Sequence, residues 1–307
     1  MFNNKDPFNP ERDIPSLKGK VIFITGGNTG IGKQSAIELC KHQPAEIWIG
    51  ARNAKTADAA IAEIKGLAPE VSVQFVQLDL KSFESVRAAA RTVLASTSRL
   101  DILMLNAGIM ACSPGLTKEG YEVQFGTNHM GHALLVKLLL QLLLNTAALP
   151  NSDVRVVSVS SVAHKFGVPG GIDFDHLKTA DESMTTNDRY RLYGQSKLAN
   201  ILYTRELARR YPQLTSVAIH PGTVKTGLMK DGDGSLLITA FRRFVVPMIS
   251  VEVDEGAKSQ LWAATSKTVE NGEYYVPVGV PGKGSAQSAD KELSGKLWDW
   301  TQKELET

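Results

Sequence analysis

From residue 20 onward, apolar runs of strand length alternate with stretches whose apolar positions recur every three or four residues. The strand-length runs are Lys20–Thr25, Glu46–Gly50, Val71–Val76, Leu100–Leu105, Val154–Val159 and Thr215–Ile219, with a shorter late one around Glu273–Val276. Such alternation predicts βαβ units and a parallel sheet of about seven strands. Between the strands, Ile31–His42 reads as a helix stopped before Pro44. Ala54–Lys65 reads as a second, with Asn53 as cap and Gly66 as stop. Ser82–Ala95 is a third, placing Phe83, Val86, Ala90, Val93 and Leu94 at helical spacing. Two long helices follow at roughly 118–145 and 190–210, and an amphipathic one near Lys291–Lys303. Neither an internal repeat nor a Pro/Ser/Gly linker separates two cores. The expectation is one doubly wound α/β domain over 18–307, preceded by an irregular arm at 1–17.

The most apolar run, Ala133–Leu144, is shorter than the ~20 residues a bilayer-spanning helix needs. Lys137, Gln141 and Asn145 recur every four positions as one polar stripe, so it reads as a long core helix and no membrane span is expected. The first residues are polar, with Pro7, Pro10 and Pro15, and have neither the apolar centre of a signal peptide nor an anchor. At 43% hydrophobic and 21% charged, a chain of 307 residues can bury a large core. Its net charge of +2 lacks the basic excess of a nucleic-acid-binding surface, so no nucleic-acid partner is expected. Cys40 and Cys112 stand 72 positions apart with no metal-type pairing, and there is no N-glycosylation sequon. A reducing, cytoplasmic setting fits best.

Chemistry enters at the end of the first strand. Thr25-Gly26-Gly27-Asn28-Thr29-Gly30-Ile31-Gly32 leads directly into a helix. Glycines allow positive φ and close approach of a pyrophosphate, and the helix N-terminus supplies unpaired N–H groups. Gly27-x4-Gly32-Lys33 also approaches a P-loop, but Gln34 stands where that motif needs Ser or Thr to hold Mg²⁺. A dinucleotide is therefore preferred over a nucleoside triphosphate. Tyr193 and Lys197, at i and i+4 on a helix, leave the same face one turn apart.

In this order, the glycine turn, Asn106-Ala107-Gly108, Ser160-Ser161-Val162-Ala163-His164, Tyr193-x3-Lys197 and His220-Pro221-Gly222 resemble the short-chain dehydrogenase/reductase family over residues 18 to 280. The phrasing is most similar to its retinol-dehydrogenase-like branch and fungal relatives, though without the N-terminal anchor of membrane-bound members. The resemblance implies a Rossmann-type fold and hydride transfer by a nicotinamide. It implies Tyr193 as proton donor or acceptor, and Lys197 as the group that lowers the phenol pKa and holds the nicotinamide ribose. It further implies Ser161 as a hydrogen-bond partner of the substrate oxygen and Asn128 as the residue ordering a relay water to Lys197. Ser160 competes with Ser161, since strand register decides which faces the cleft. On the cofactor side it implies contacts from Gly26, Asn28, Thr29, Gly30, Ile31 and Gly32, and from Asp79 and Leu80 to the adenine. Asn106, Ala107 and Gly108 would wall the ribose, and Pro221, Val224 and Thr226 would embrace the carboxamide. His129, His132 and His164 lack metal-ligand spacing and read as structural or pocket-lining.

The second strand ends Ile49-Gly50-Ala51-Arg52-Asn53, with no acid at the tip to accept from a ribose 2′-OH. Arg52 suits a 2′-phosphate, with Lys33 or Lys55 in sequence reach as helpers, so NADP(H) is favoured over NAD(H). Thirty-two positions separate Ser161 from Tyr193, and this 162–192 insertion carries His164, Phe166, Pro169, Phe174 and Tyr190. With the apolar 227–250 stretch (Leu228, Met229, Leu236, Leu237, Phe241, Phe244, Val246) it predicts a lid over a lipophilic ketone, aldehyde or secondary alcohol. A non-catalytic NADP-sensing or scaffold protein on the same fold is the alternative. The helices near 125–145 and 190–210 resemble the family's dimer faces, so a homo-oligomer is an open expectation, and burial against the core explains their apolar character equally.

Overall fold

Along β1 (Val21–Thr25) successive side chains point to opposite faces of the sheet. All five are buried, Val21 and Phe23 in one apolar cluster and Ile22 and Ile24 in another. A strand apolar on both sides needs helices on both sides, and the computed structural model, which describes residues 7–224 and 251–306, supplies them. The further strands are β2 (Glu46–Ala51), β3 (Ser72–Gln77), β4 (Ile102–Leu105), β5 (Arg155–Val159), β6 (Thr215–Ile219), β7 (Tyr274–Val276) and β8 (Val280–Pro281). They form one sheet in the order β3-β2-β1-β4-β5-β6-β7-β8, parallel throughout except for the antiparallel β7–β8 pair. This is the expected Rossmann-type α/β sheet with one short strand added, β8, too brief to show periodicity.

The helices are α1 (Pro10–Asp13), α2 (Gly30–Cys40), α3 (Ala54–Leu67), α4 (Phe83–Ser96), α5 (Val123–Phe125), α6 (Gly131–Ala147), α7 (Thr186–Arg210), α8 (Val253–Thr265) and α9 (Lys291–Glu304). One face of the sheet is covered by α4, α6, α7 and α9 through Val86, Leu135, Leu198 and Leu297, the other by α2, α3 and α8 through Leu39, Ile64 and Leu261. Capping follows the residues: Asn53 and Ser82 accept N–H groups of Thr56 and Ser85, and Thr185 with Asp188 forms a capping box that starts α7 upstream of residue 190. Within the 1–17 segment α1 forms, and Ile14 and Leu17 are buried in the core.

The predicted 118–145 helix is α5 and α6 joined by a π-helical turn, Gly126–Met130. Two close approaches bracket that turn: a Cβ on Gly126 would meet the Thr117 side chain, and one on Gly131 would lie 2.5 Å from the Leu80 carbonyl. Val123–Ala147 is long and apolar enough to cross a membrane, its most apolar 18 residues having mean hydropathy 1.4, yet 61% of those are buried within the chain. Trp298 of α9 stacks on Tyr203 of α7 at 4.8 Å, so α9 covers part of that helix.

The sequence pattern missed α8. Its buried side consists of Gly256, Ala257, Ser259, Gln260, Ala263, Ala264 and Thr265 with Leu261, mostly small or polar residues that give no apolar period. Smallness serves contact: Gln260 Nε2 donates to the Ile31 carbonyl at 3.0 Å and to Ser35 Oγ at 2.6 Å, locking α8 on the helix that starts at the glycine turn.

Candidate active site

β1 pairs with β2 on one side and β4 on the other, so a crevice opens beyond its carboxyl end. A cavity of about 680 Å³ occupies this position. The glycine turn forms its floor. Gly26 and Gly30 have φ of +68° and +54°, which L side chains rarely adopt. A Cβ on Gly32 would collide with Asn106 Nδ2 and the Gly26 carbonyl, so only glycine lets β4's loop close on the turn. Asn106 Nδ2 donates to the Thr25 carbonyl at 2.8 Å, while its Oδ1 is buried and has no hydrogen-bond partner among the described residues. A free acceptor beside positive-φ glycines and a helix N-terminus fits a dinucleotide's ribose and phosphates.

The cavity brings together nearly every residue expected at the cofactor: Gly26, Asn28, Thr29, Gly30, Ile31 and Gly32 from the turn, Arg52 at the tip of β2, Asp79 and Leu80 after β3. Asn106, Ala107, Gly108, Pro221 and Val224 line it as well. Thr226 and the 227–250 stretch lie outside the described residues. Asn28 Nδ2 donates to Thr56 Oγ1 at 2.7 Å, fastening the turn to the start of α3 beside Arg52. Lys33 does not line the cavity; its ammonium pairs with Glu63 at 2.7 Å, and Lys55 does not reach the cavity either. The cation at the strand tip is Arg52, without these helpers.

At the other end stand Ser161, Tyr193 and Lys197. Ser160 and Ser161 both line the cavity, and their hydrogen bonds tell them apart. Ser160 Oγ donates to the Lys197 backbone carbonyl at 2.7 Å, whereas Ser161 hydrogen-bonds the Tyr193 side chain. Lys197 Nζ donates to the Val159 carbonyl at 2.9 Å and sits 5.7 Å from the Tyr193 ring centre. Burial pushes the Tyr193 phenol up to about 12, with the Ser161 bond pulling the other way, and burial pushes Lys197 down to about 8. Desolvation sets the direction of the phenol's shift.

Asn128 lies behind the cavity wall in the π-helical turn. Its Oδ1 accepts from Ile109 N at 2.9 Å, and its Nδ2 donates to the Ile109 carbonyl and to Ser196 Oγ, each at 2.9 Å. Both amide hydrogens are committed, so the side chain clamps the 106–109 loop. Of the 162–192 insertion, Val162 lines the cavity. Phe174 packs instead on Trp300 at 6.0 Å, Phe166 is 71% exposed, and His164 is buried with Nδ1 2.7 Å from the Ser161 carbonyl.

His129 and His132 are wholly buried, and desolvation pushes them down to about 3 and about 4. In the unfolded chain each titrates near 6.5. Their stabilisation is therefore complete above pH 6.5 and is lost as pH falls toward 4, where the folded protein must also take up the protons. Thermal denaturation between pH 7.5 and 5 should show a falling Tm, with a loss of about 2 kcal/mol per imidazole at pH 5. His129→Gln is expected to flatten that dependence.

A parallel sheet, a glycine turn at its switch point and a Ser–Tyr–Lys set at one cavity define a dinucleotide-binding α/β protein of oxidoreductase type. Residues 20–190 match the short chain dehydrogenase family, and the chain belongs to the short-chain dehydrogenases/reductases. It is 36% identical over 312 residues to the short-chain dehydrogenase/reductase drtF of Aspergillus calidoustus, covering 95% of each chain. To human retinol dehydrogenase 12 it is 40% identical over 263 residues, covering 84% of this chain and 78% of the relative. The similarity thus runs to the retinol-dehydrogenase-like branch and to fungal members. A solved structure from Mycobacterium paratuberculosis superposes with a TM-score of 0.75 at 29% identity, covering 98% of each chain. Members of this family use a nicotinamide cofactor.

Proposed function

We propose that this protein is an NADP(H)-dependent oxidoreductase that transfers a hydride between the nicotinamide and a lipophilic ketone, aldehyde or secondary alcohol, with Tyr193 exchanging the proton. One observation carries the reading: a single cavity has Arg52 at its adenosine end and Ser161, Tyr193 and Lys197 at its reacting end. A bound nicotinamide would supply or take the hydride at C4. Its ribose and phosphates would rest on the glycine turn and Asn106, and a 2′-phosphate would meet the Arg52 guanidinium, a fork suited to bidentate contact.

The chain's own residues handle the proton. A phenol pushed up to about 12 keeps its hydrogen at neutral pH and can donate it from Oη to a carbonyl oxygen as the alcohol forms. Ser161 would hold that oxygen alongside Tyr193, and Lys197, still cationic below about pH 8, would stabilise the phenolate left behind. Asn128 would serve by fixing the 106–109 loop, and Thr226 would complete the carboxamide loop begun by Pro221 and Val224. Val162 and the Ile109–Met110 wall support an apolar substrate. Two cysteines without a disulfide support a cytoplasmic location.

NADPH and NADH titrated into wild type and Arg52→Asp test the cofactor assignment. Wild type should prefer NADPH, and the substitution should weaken NADPH binding roughly tenfold to a hundredfold while leaving NADH binding nearly unchanged. Equal affinities in the wild type would sink it. A broad carbonyl screen followed by NADPH absorbance finds the substrate class, and tight cofactor binding with no turnover on any carbonyl would favour a sensor instead.

A further inference from the structure

His132 is fully buried on α6 and belongs to neither the proton-handling set nor the cavity lining. Its ring is nonetheless bonded at both nitrogens. Nδ1 lies 3.0 Å from the Asn128 carbonyl oxygen, which can only accept, so Nδ1 carries the hydrogen. Burial keeps the imidazole neutral, and Nε2 is therefore an acceptor, 2.9 Å from Thr25 Oγ1. The single Thr25 hydroxyl hydrogen goes to this nitrogen in preference to the Met104 carbonyl at 3.3 Å. Thr25 Oγ1 in turn accepts the backbone N–H groups of Asn106 at 2.9 Å and Ala107 at 3.0 Å. The chain of bonds runs without a gap from the loop walling the ribose, through the residue that precedes the glycine turn, to the π-helical turn.

Asn128 closes the circuit. Its amide grips Ile109 on the same loop, and its Nδ2 reaches Ser196 Oγ, which donates to the Tyr193 carbonyl at 2.8 Å. Loop 106–109 is thus held from two sides, by Thr25 at its start and Asn128 at its end, and His132 is the strut between the two holders. Each bond fixes the direction of the next, since a hydroxyl with one hydrogen and a neutral ring with one hydrogen leave no second arrangement that satisfies every group.

We propose that His132 is a positioning residue: in its Nδ1–H form it couples Thr25 to Asn128 and so sets the seat of the dinucleotide on loop 106–109. The inference rests on the dinucleotide-binding reading of the cavity but not on the choice of cofactor or on turnover.

The test is a double-mutant cycle on His132→Leu and Thr25→Val, read as the dissociation constant of whichever of NADPH and NADH binds wild type more tightly. His132→Leu should weaken binding about tenfold and Thr25→Val, which also removes the acceptor of the Asn106 and Ala107 N–H groups, at least as much, while the double variant should lose no more than Thr25→Val alone, because that variant already removes the link. His132→Asn, whose amide can still donate to the Asn128 carbonyl, should recover at least half of the loss on a logarithmic scale and serves if the leucine variant fails to fold. Effects that multiply to about a hundredfold in the double variant, or a His132→Leu constant within twofold of wild type, would overturn the proposal. A wild type that binds neither dinucleotide would refute the reading of the cavity as well, and would show before any variant is compared.

Discussion

Tyr193→Phe is expected to reduce turnover of any carbonyl substrate by about a thousandfold while leaving the NADPH dissociation constant within about twofold. The substitution removes one hydroxyl, the group that hydrogen-bonds Ser161 and faces the cavity, and keeps the ring that Lys197 approaches at 5.7 Å. Steady-state rates by NADPH absorbance and a fluorescence titration separate the two effects. The wild-type rate of reduction should be level through neutral pH and decline above about pH 8. There Lys197 loses its charge while Tyr193, held up at about 12, still has its proton. The falling limb thus reports the lysine, and Lys197→Arg, which stays cationic, should move it upward. Normal turnover in Tyr193→Phe would refute the assigned proton donor.

The strands and the cofactor turn were legible because their signals are local. A strand buried on both faces is a short apolar run, and Gly26 and Gly30 answer to the positive φ of the turn itself. Arg52 could be read for a similar reason, since the strand tip sits at a fixed distance from the glycine turn in a βαβ unit. Long-range contacts were not readable. The small-residue face of α8, the capture of Lys33 by Glu63 across 30 positions and the use of Phe174 in packing against Trp300 each depend on a partner that the sequence does not place. The resemblance pointed to Ser161, but that Ser160 is tied to the Lys197 carbonyl was not readable. The extent of burial around the phenol was not readable either, since a sequence motif does not measure desolvation.

Gly194 is the sharpest case of that kind, visible in the Tyr193–Lys197 stretch yet without a role until the structure supplies one. The 3-10 helix Val162–Phe166 that follows Ser161 lies against α7 at this residue. A Cβ on Gly194 would stand 2.5 Å from the Ala163 carbonyl and 3.0 Å from Gly167 N and Cα, all of them backbone atoms that cannot rotate aside. Gly167 makes the reciprocal contact, its own Cβ position lying 3.1 Å from Gln195 N. Two glycines therefore let the segment carrying Ser161 press against the turn carrying Tyr193, which is what sets the hydrogen bond between their side chains. Gly194→Val should push the segments apart and lower kcat about a hundredfold, since an error of about 1 Å between reacting groups is enough for a loss of that size. NADPH affinity should change far less, because the glycine turn, Arg52 and Asn106 lie on other elements. Gly194→Ala is expected to give an intermediate loss. A loss confined to NADPH affinity, with kcat preserved, would mean that the Ser161 segment and Tyr193 keep their distance by other contacts.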